Sequence, residues 1–286
     1  MSKIGIIGGS GLYNIEGIKH LKLVRVKTPF GEPSDEYITG ELEGKEVVFL
    51  PRHGREHRIS PSKINYRANI FGMKKLGVER IISVSACGSL REEIAPLDFV
   101  LPDQFVDRTN QARVMTFFNE GIVAHIGFAD PVCGSLSKSI YSVTGEINVK
   151  THLGGTYLNM EGPAFSTRAE SNLYRSWGMS IIGMTNISEA RLAREAEMCY
   201  ATLAAVTDYD CWYAGHESVT VEMVIENLSK NVENAKKIIR TAIAKLPEAS
   251  GCKCASALKY AIVTQKQAIP EKVKKELGII IGKYVN

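Results

Sequence analysis

Apolar residues recur along this chain in short, nearly continuous runs of strand length. The runs lie at residues 4–7, 46–51, 79–86, 99–102, 180–185 and 200–207. Strands that are exposed on one face alternate apolar and polar residues, whereas strands covered on both faces do not. The pattern therefore predicts a set of buried strands.

Segments with helical spacing of apolar residues lie between these runs, at residues 65–77, 166–178 and 220–246. The second segment opens with Thr167 and Glu170, which form the sequence pattern of a capping box, and it ends at Gly178. Strands that alternate with helices favour an α/β fold with a mostly parallel sheet. Composition changes after Pro247, so we predict one domain over residues 1–249 and a C-terminal extension over residues 250–286.

Composition narrows the class of protein. The 286 residues are 44% hydrophobic and carry a formal net charge of +4, which is ordinary for a globular protein. No Lys/Arg-rich block with interleaved aromatic residues is present, so a nucleic-acid partner is not expected. The first residues lack a signal peptide, and no apolar run reaches membrane-spanning length. We expect a soluble, cytoplasmic protein without a membrane partner.

The six cysteines are Cys87, Cys133, Cys199, Cys211, Cys252 and Cys254. Their spacing lacks the paired C-x-x-C units of a structural zinc site, so we expect no metal. Free thiols are usual inside cells, but intracellular disulfides are established in hyperthermophiles. Both states stay open at this point.

A glycine loop follows the first strand, in the sequence GIIGGSGL. The G-x-G-x-x-G fingerprint of dinucleotide sites fails here, because neither Gly8 nor Gly9 begins the required spacing. What is left is a hydroxyl, that of Ser10, flanked by glycines. The loop could hold a small anion through its N–H groups, or it could simply be a tight turn.

Polar side chains follow five of the predicted strands, where open α/β sheets bind ligands. They are Ser10, Arg52, His53, Ser85, Thr185, Asp208 and Asp210. A guanidinium fork with several hydroxyls suits phosphate. The two aspartates would repel phosphate and suit a group with N–H donors, such as a purine base. Each residue taken alone could instead be a turn or cap residue.

Six motifs in this order resemble the 5′-methylthioadenosine phosphorylases of the trimeric purine nucleoside phosphorylase class. They are GIIGGSGL, PRHGR with INYRANI, SACGSLRE, EGPAFSTRAES, MTNISEARLAREAEMCYA and TDYDCW. The resemblance covers residues 3 to about 246. It implies a central mixed sheet, a homotrimer or homohexamer, and phosphorolysis of 5′-methylthioadenosine to adenine and 5-methylthioribose 1-phosphate in purine and methionine salvage. Phosphate is then a co-substrate, and no cofactor or metal is implied.

The resemblance also assigns site residues. The phosphate ligands fall on Ser10, Arg52, His53, Ser85, the backbone of Ala86, and Thr185. The nucleoside ligands fall on Phe165, Ser166, Met184, Asp208, Tyr209, Asp210, Val221, Val224 and Ile225, with His125 reaching in from a neighbouring subunit. Asp208 would serve purine N7 as the catalytic acid, directly or through a water. Adenosine is a second possible substrate.

Three positions depart from the pattern of the family: Ala164, Gly183 and Ser188. A 6-oxopurine nucleoside phosphorylase is the alternative activity, but the carboxylates of Asp208 and Asp210 suit a 6-amino group better. A nucleotide-binding regulatory or redox module is a further alternative, which the failed glycine fingerprint disfavours. The Cys252–Cys254 pair resembles a tail motif of hyperthermophile relatives with disulfides, which favours a Cys133–Cys199 disulfide.

Overall fold

The computed structural model describes residues 3–9, 11–12, 15–110, 112–213, 221–247 and 251–285, with side chains of the helix that begins at residue 221 described from Ile225 on. These residues form eleven strands and seven α-helices. The strands are β1 (Lys3–Gly8), β2 (Lys19–Val24), β3 (Tyr37–Leu42), β4 (Lys45–Pro51), β5 (Val78–Ser89), β6 (Phe99–Leu101), β7 (Gln104–Arg108), β8 (Thr151–Leu153), β9 (Thr156–Met160), β10 (Ile181–Gly183) and β11 (Cys199–Asp208). The helices are α1 (Tyr66–Lys75), α2 (Gly134–Thr144), α3 (Arg168–Ser176), α4 (Asn186–Glu195), α5 (Val221–Lys245), α6 (Glu271–Glu276) and α7 (Gly278–Val285).

All the described strands belong to one mixed sheet whose centre is the long strand β5. Strand β5 pairs in parallel with β1 on one side and with β11 on the other, and its end pairs antiparallel with β10. Six of the ten strand pairings between described strands are parallel. The expected α/β fold with a mixed, largely parallel sheet is therefore confirmed.

Helices cover both faces of the sheet. Along β1, Ile4 and Ile6 point into a core shared with α2 and α5, whereas Ile7 points into a core shared with α1 and α4. Successive side chains of a strand point to opposite faces, so a strand between two apolar cores needs apolar residues at nearly every position. This burial explains the continuous apolar runs in the sequence.

The C-terminal tail adds to both cores. Cys254 belongs to the core beneath α2 and α5, and Leu258 belongs to the core on the opposite face. Helix α7 then packs against α1 and buries Ile280 and Ile281. The tail therefore passes from the core on one face of the sheet to the core on the other. No helix among the described residues is long and apolar enough to cross a bilayer.

All six apolar runs form strands, and the three helical segments form α1, α3 and α5. The capping box of α3 is present, with Glu170 N–H donating to Thr167 Oγ1 and the Glu170 carboxylate accepting from Thr167 N–H. The sequence pattern did not indicate the other five strands, β2, β3, β7, β8 and β9. Strand β2 is mostly exposed and β3, β7 and β8 are only partly buried, so they lack a continuous apolar run. Strand β9 is buried at Tyr157, Leu158 and Asn159, but this run is short and includes a polar residue.

The tail provides a matched test of burial within one helix. Ile281 is fully buried, and Ile279 is 44% exposed two residues earlier. Ile281→Ala should lower the free energy of unfolding by about 3 kcal/mol because it leaves a cavity. Ile279→Ala should change it by less than about 0.5 kcal/mol. Urea denaturation measures both values, and equal losses would mean that α7 does not pack as described.

Candidate active site

A cavity of about 350 Å³ opens at the ends of β1, β4, β5, β10 and β11, beside helix α5. This is enough room for a small organic ligand. Nine of the residues that the sequence assigned to a site line it: Arg52, His53, Ser85, Ala86, Phe165, Met184, Thr185, Asp208 and Asp210. The structure thus brings the proposed phosphate and nucleoside residues to one cavity.

The other assigned residues lie elsewhere or outside the described residues. Ser10 and the side chains of Val221 and Val224 are not described. Ile225 and His125 are exposed in the single chain and do not line the cavity. Ser166 and Tyr209 are also absent from its lining.

Tyr209 turns away from the cavity because the chain bends at the end of β11. Its hydroxyl donates to the Glu92 carbonyl, and its ring stacks on Tyr213. Asp210 has a left-handed φ of 51°, so the extended conformation of β11 does not continue through Asp210. The carboxylates of Asp208 and Asp210 nevertheless both face the cavity.

Arg52 forms a buried ion pair with Glu189, in the first turn of α4. Arg52 Nε and Nη2 lie 2.5 and 3.2 Å from the two oxygens of Glu189, and the residues are only 2% and 1% exposed. Burial alone would lower the pKa of Arg52, but the Glu189 carboxylate raises it above its ordinary value. Arg52 is therefore a permanent cation.

Most of the N–H donors of Arg52 are not available to a phosphate. Its Nη1 donates to the Val84 carbonyl and its Nη2 also donates to Ser83 Oγ. Four of the five guanidinium N–H groups therefore have protein partners. Glu189 takes most of the guanidinium fork that the sequence suggested for phosphate, because a buried arginine needs a buried acid.

A network of neutral side chains completes this ion pair. Glu189 Oε2 accepts hydrogen bonds from Ser83 Oγ and Tyr200 Oη at 2.6 and 2.9 Å. Asn186 Nδ2 donates to the same two hydroxyls. Sequence reasoning missed Ser83 and Tyr200, which lie within β5 and β11, and Asn186, which is the first residue of α4. A buried arginine needs a carboxylate partner, and this requirement at Arg52 could have indicated Glu189.

His53 is neutral in this environment. Burial and then the charge of Arg52 lower its pKa to about 4. Its Nδ1 lies 2.7 Å from the Ile59 carbonyl, which can only accept, so Nδ1 carries the proton. The ring also stacks on His57 at 4.1 Å. Nε2 is therefore left as an acceptor at the cavity.

Neutral donors surround the same end of the cavity. The Ser85 and Tyr157 hydroxyls lie next to each other, and neither makes a well-formed hydrogen bond to a described group. Thr185 is the N-cap residue of α4, so the positive end of that helix dipole lies here. Helix N-termini and free hydroxyls bind anions without adding a full charge.

The opposite end of the cavity is acidic. Asp208 is 8% exposed; its Oδ2 accepts from Thr207 Oγ1 at 2.6 Å and its Oδ1 from the Asp210 N–H at 2.8 Å. Burial raises the pKa of Asp208, and the nearby Asp210 carboxylate raises it further. The pKa of Asp210 is also raised by burial. The pair therefore holds a proton more readily than exposed aspartates do.

Two glycines shape the space between the two ends. A Cβ at Gly88 would lie 3.0 Å from Asp208 Oδ1, so glycine lets the carboxylate approach the backbone of β5. A Cβ at Gly183 would overlap the Tyr157 hydroxyl. The departure at Gly183 is thus explained, because Tyr157 occupies the space that a side chain there would need.

Helix α5 covers the cavity with Leu228, Asn231 and Val232. The amide groups of Asn227 and Asn231 donate to the carbonyls of Thr207 and Val206 at 2.8 Å. These bonds fix the helix to the end of β11, next to Asp208. Leu228 and Val232 were not assigned to the site from the sequence, although their helical spacing was recognised.

The comparisons with known proteins agree with one another. Residues 3–244 match the model of the phosphorylase superfamily. S-methyl-5′-thioadenosine phosphorylases of Geobacter sulfurreducens and Koribacter versatilis are each 60% identical to this chain, over 99% of it and over 99% and 97% of their own lengths. The crystal structure of a methylthioadenosine phosphorylase from an antarctic soil metagenomic library has a TM-score of 0.93, 46% identity and 98% coverage of both chains. The methylthioadenosine phosphorylase of Schistosoma mansoni in complex with tubercidin has a TM-score of 0.82 and 35% identity, over 91% of this chain and 96% of that one.

The ion pair under the cavity can be tested by stability. Glu189→Gln leaves the Arg52 charge buried without a counter-charge, so the free energy of unfolding should fall by about 3 kcal/mol. Glu226→Gln is the control, because Glu226 forms an exposed ion pair with Lys230 and should leave stability almost unchanged. Similar urea midpoints for the two variants would contradict the assignment.

Proposed function

Since this chain belongs to the phosphorylase superfamily and, within it, to the S-methyl-5′-thioadenosine phosphorylases, we propose that the cavity is where phosphate cleaves this nucleoside. The C1′–N9 bond breaks, a phosphate oxygen bonds to C1′, and adenine leaves with a proton. The observation that carries the proposal is the polarity of the cavity, which has neutral anion-binding groups at one end and proton-holding carboxyls at the other.

Phosphate binds between His53, Ser85, the backbone of Ala86 and Thr185, above the ion pair of Arg52. Because the charges of that ion pair nearly cancel, phosphate is bound by oriented dipoles and by the one remaining Arg52 N–H group. At neutral pH the hydroxyl of hydrogen phosphate donates to His53 Nε2, because Nδ1 is already bonded to Ile59. The anionic oxygens then face the ribose, where positive charge develops as the bond to adenine breaks.

Adenine binds at the opposite end, between Phe165, Met184 and the two aspartates. Asp208 donates a proton to N7, directly or through a water, so that adenine leaves as a neutral molecule. The raised pKa of Asp208 keeps the proton available. Asp210, when ionised, accepts from the 6-amino group of adenine and would face the carbonyl of a 6-oxopurine. This favours adenine over the alternative substrates inosine and guanosine.

The methylthio group lies against helix α5. Leu228 and Val232 supply apolar surface there, and Val221, Val224 and Ile225 of the same helix are proposed to close over it. Adenosine fits the same cavity but leaves its 5′-hydroxyl without a partner. An apolar pocket rejects an added hydroxyl only weakly, by about a hundredfold, so adenosine is a slower second substrate.

The remaining features of the proposal come from the resemblance. Ser10 completes the phosphate site, Ser166 and Tyr209 support the purine side, and His125 reaches the cavity of a neighbouring subunit in a homotrimer or homohexamer. Residues 1–249 form the catalytic unit, and residues 250–286 form its extension. The enzyme needs no cofactor, and its reaction serves purine and methionine salvage in the cytoplasm.

Asp208 can be tested by a variant that preserves shape. Asp208→Asn should lower kcat on methylthioadenosine by roughly a hundred- to ten-thousand-fold, the usual loss for a general acid, and should leave the KM for phosphate almost unchanged. Asp130→Asn, at an exposed site, is the control.

The wild-type rate should also fall as pH rises through the raised pKa of Asp208, because the ionised form has no proton to donate. If the Asp208→Asn variant turns over normally, or if its rate falls with rising pH as the wild-type rate does, Asp208 is not the acid.

Leu228 provides a test of the methylthio site. Leu228→Ala removes apolar surface worth about 1–2 kcal/mol, which should raise the KM for methylthioadenosine roughly tenfold and affect adenosine less. Ser229→Ala, one residue on and exposed, should change neither KM. Equal effects on the two nucleosides would place the methylthio group elsewhere.

A further inference from the structure

Four cysteines that are far apart in the sequence meet in the fold, on the opposite side of β11 from Tyr200. They are Cys133, Cys199, Cys252 and Cys254, and their sulfur atoms all lie within 4.8 Å of one another. Cys133 is the N-cap residue of α2, Cys199 begins β11, and the last two belong to the C-terminal tail. All four are free thiols, so the expected Cys133–Cys199 disulfide is not formed in this structure.

The spacing of the sulfur atoms matches a mononuclear tetrahedral metal site. Zinc lies about 2.3 Å from each thiolate in such a site, so neighbouring sulfur atoms are about 3.8 Å apart. Here the Cys252 sulfur lies 3.7 Å from that of Cys133 and 3.4 Å from that of Cys199. We propose that these four cysteines bind one Zn²⁺ ion as a structural Cys₄ site. The sequence-based expectation of no metal rested on spacing alone, and spacing misses a site whose ligands come from three separate segments.

The surroundings suit four thiolates around a dication, which carry a net charge of −2. The first N–H groups of α2 and the Ser135 hydroxyl, 3.1 Å from the Cys133 sulfur, stabilise negative charge there. Cys133 and Cys254 are buried, and Cys199 and Cys252 are partly buried. Without a metal ion, the site would hold a cluster of buried thiols with only weak hydrogen bonds between them.

The protein is already shaped to hold the ligands in place. The Cys133 N–H donates to the Tyr200 carbonyl at 2.8 Å, which fixes the start of α2 against β11. The Ala255 N–H donates to the Cys252 carbonyl at 3.1 Å, which holds the two tail cysteines in one turn. The ion would therefore tie the C-terminal extension to the domain, at the place where the tail passes from one core to the other.

The experiment uses the full chain, purified without reductant or chelator and dialysed against metal-free buffer. Elemental analysis should find about one zinc per chain, and the protein denatured with a chelator should have all six thiols free. Cys254→Ser should lower the zinc content at least tenfold, and Cys252→Ser should do the same if the first variant folds poorly. Cys211→Ser, outside the cluster, should keep the zinc content of the wild type.

A second measurement on the wild-type chain does not depend on folding of a variant. After the zinc is removed with a mercurial and replaced by Co²⁺, the visible spectrum should show the intense bands of tetrahedral cobalt with sulfur-to-metal charge transfer. Protein without zinc, with only two free thiols and no such cobalt spectrum, would overturn the proposal in favour of two disulfides. Full zinc content in Cys254→Ser would equally overturn it.

Discussion

The rest of the structure depends on one buried ion pair, between Arg52 and Glu189. A charge in the protein interior is costly unless its partner and all its hydrogen bonds are in place. Arg52 follows β4, Glu189 lies in α4, and Ser83 and Tyr200 bring β5 and β11 to the same carboxylate. The requirement to satisfy this pair therefore fixes four elements relative to one another, and the cavity is the space above them.

The same ion pair sets the chemistry of the cavity. Because Glu189 balances Arg52 and burial keeps His53 neutral, the end of the cavity proposed for phosphate offers dipoles and hydroxyls rather than excess charge. At the end proposed for the purine, burial instead raises the pKa of the Asp208 carboxyl, which favours its protonated form. In the proposed reaction, burial thus favours a neutral His53 for the hydroxyl of phosphate and the acid form of Asp208 for adenine.

Much of this arrangement could be predicted from the sequence, for physical reasons. The buried strands leave continuous apolar runs, and polar residues at or near the carboxyl ends of strands converge on one cavity, as Ser85, Thr185 and Asp208 do. The role of Glu189 could not be read in this way, because its partner is 137 residues away. The position of Tyr157 against Gly183 and the meeting of Cys133 with the tail depend equally on tertiary packing. Periodicity indicates which face of an element is buried, but it does not indicate which residue packs against it.

The central claim is that phosphate, and not water, breaks the glycosidic bond in this cavity. The most direct measurement follows adenine release from methylthioadenosine by the purified full chain, with and without phosphate, while phosphorus NMR follows the sugar product. The account predicts that adenine appears only when phosphate is present, with one phosphate consumed and one 5-methylthioribose 1-phosphate formed for each adenine. Adenine release at the same rate without phosphate, with free methylthioribose as the product, would contradict it.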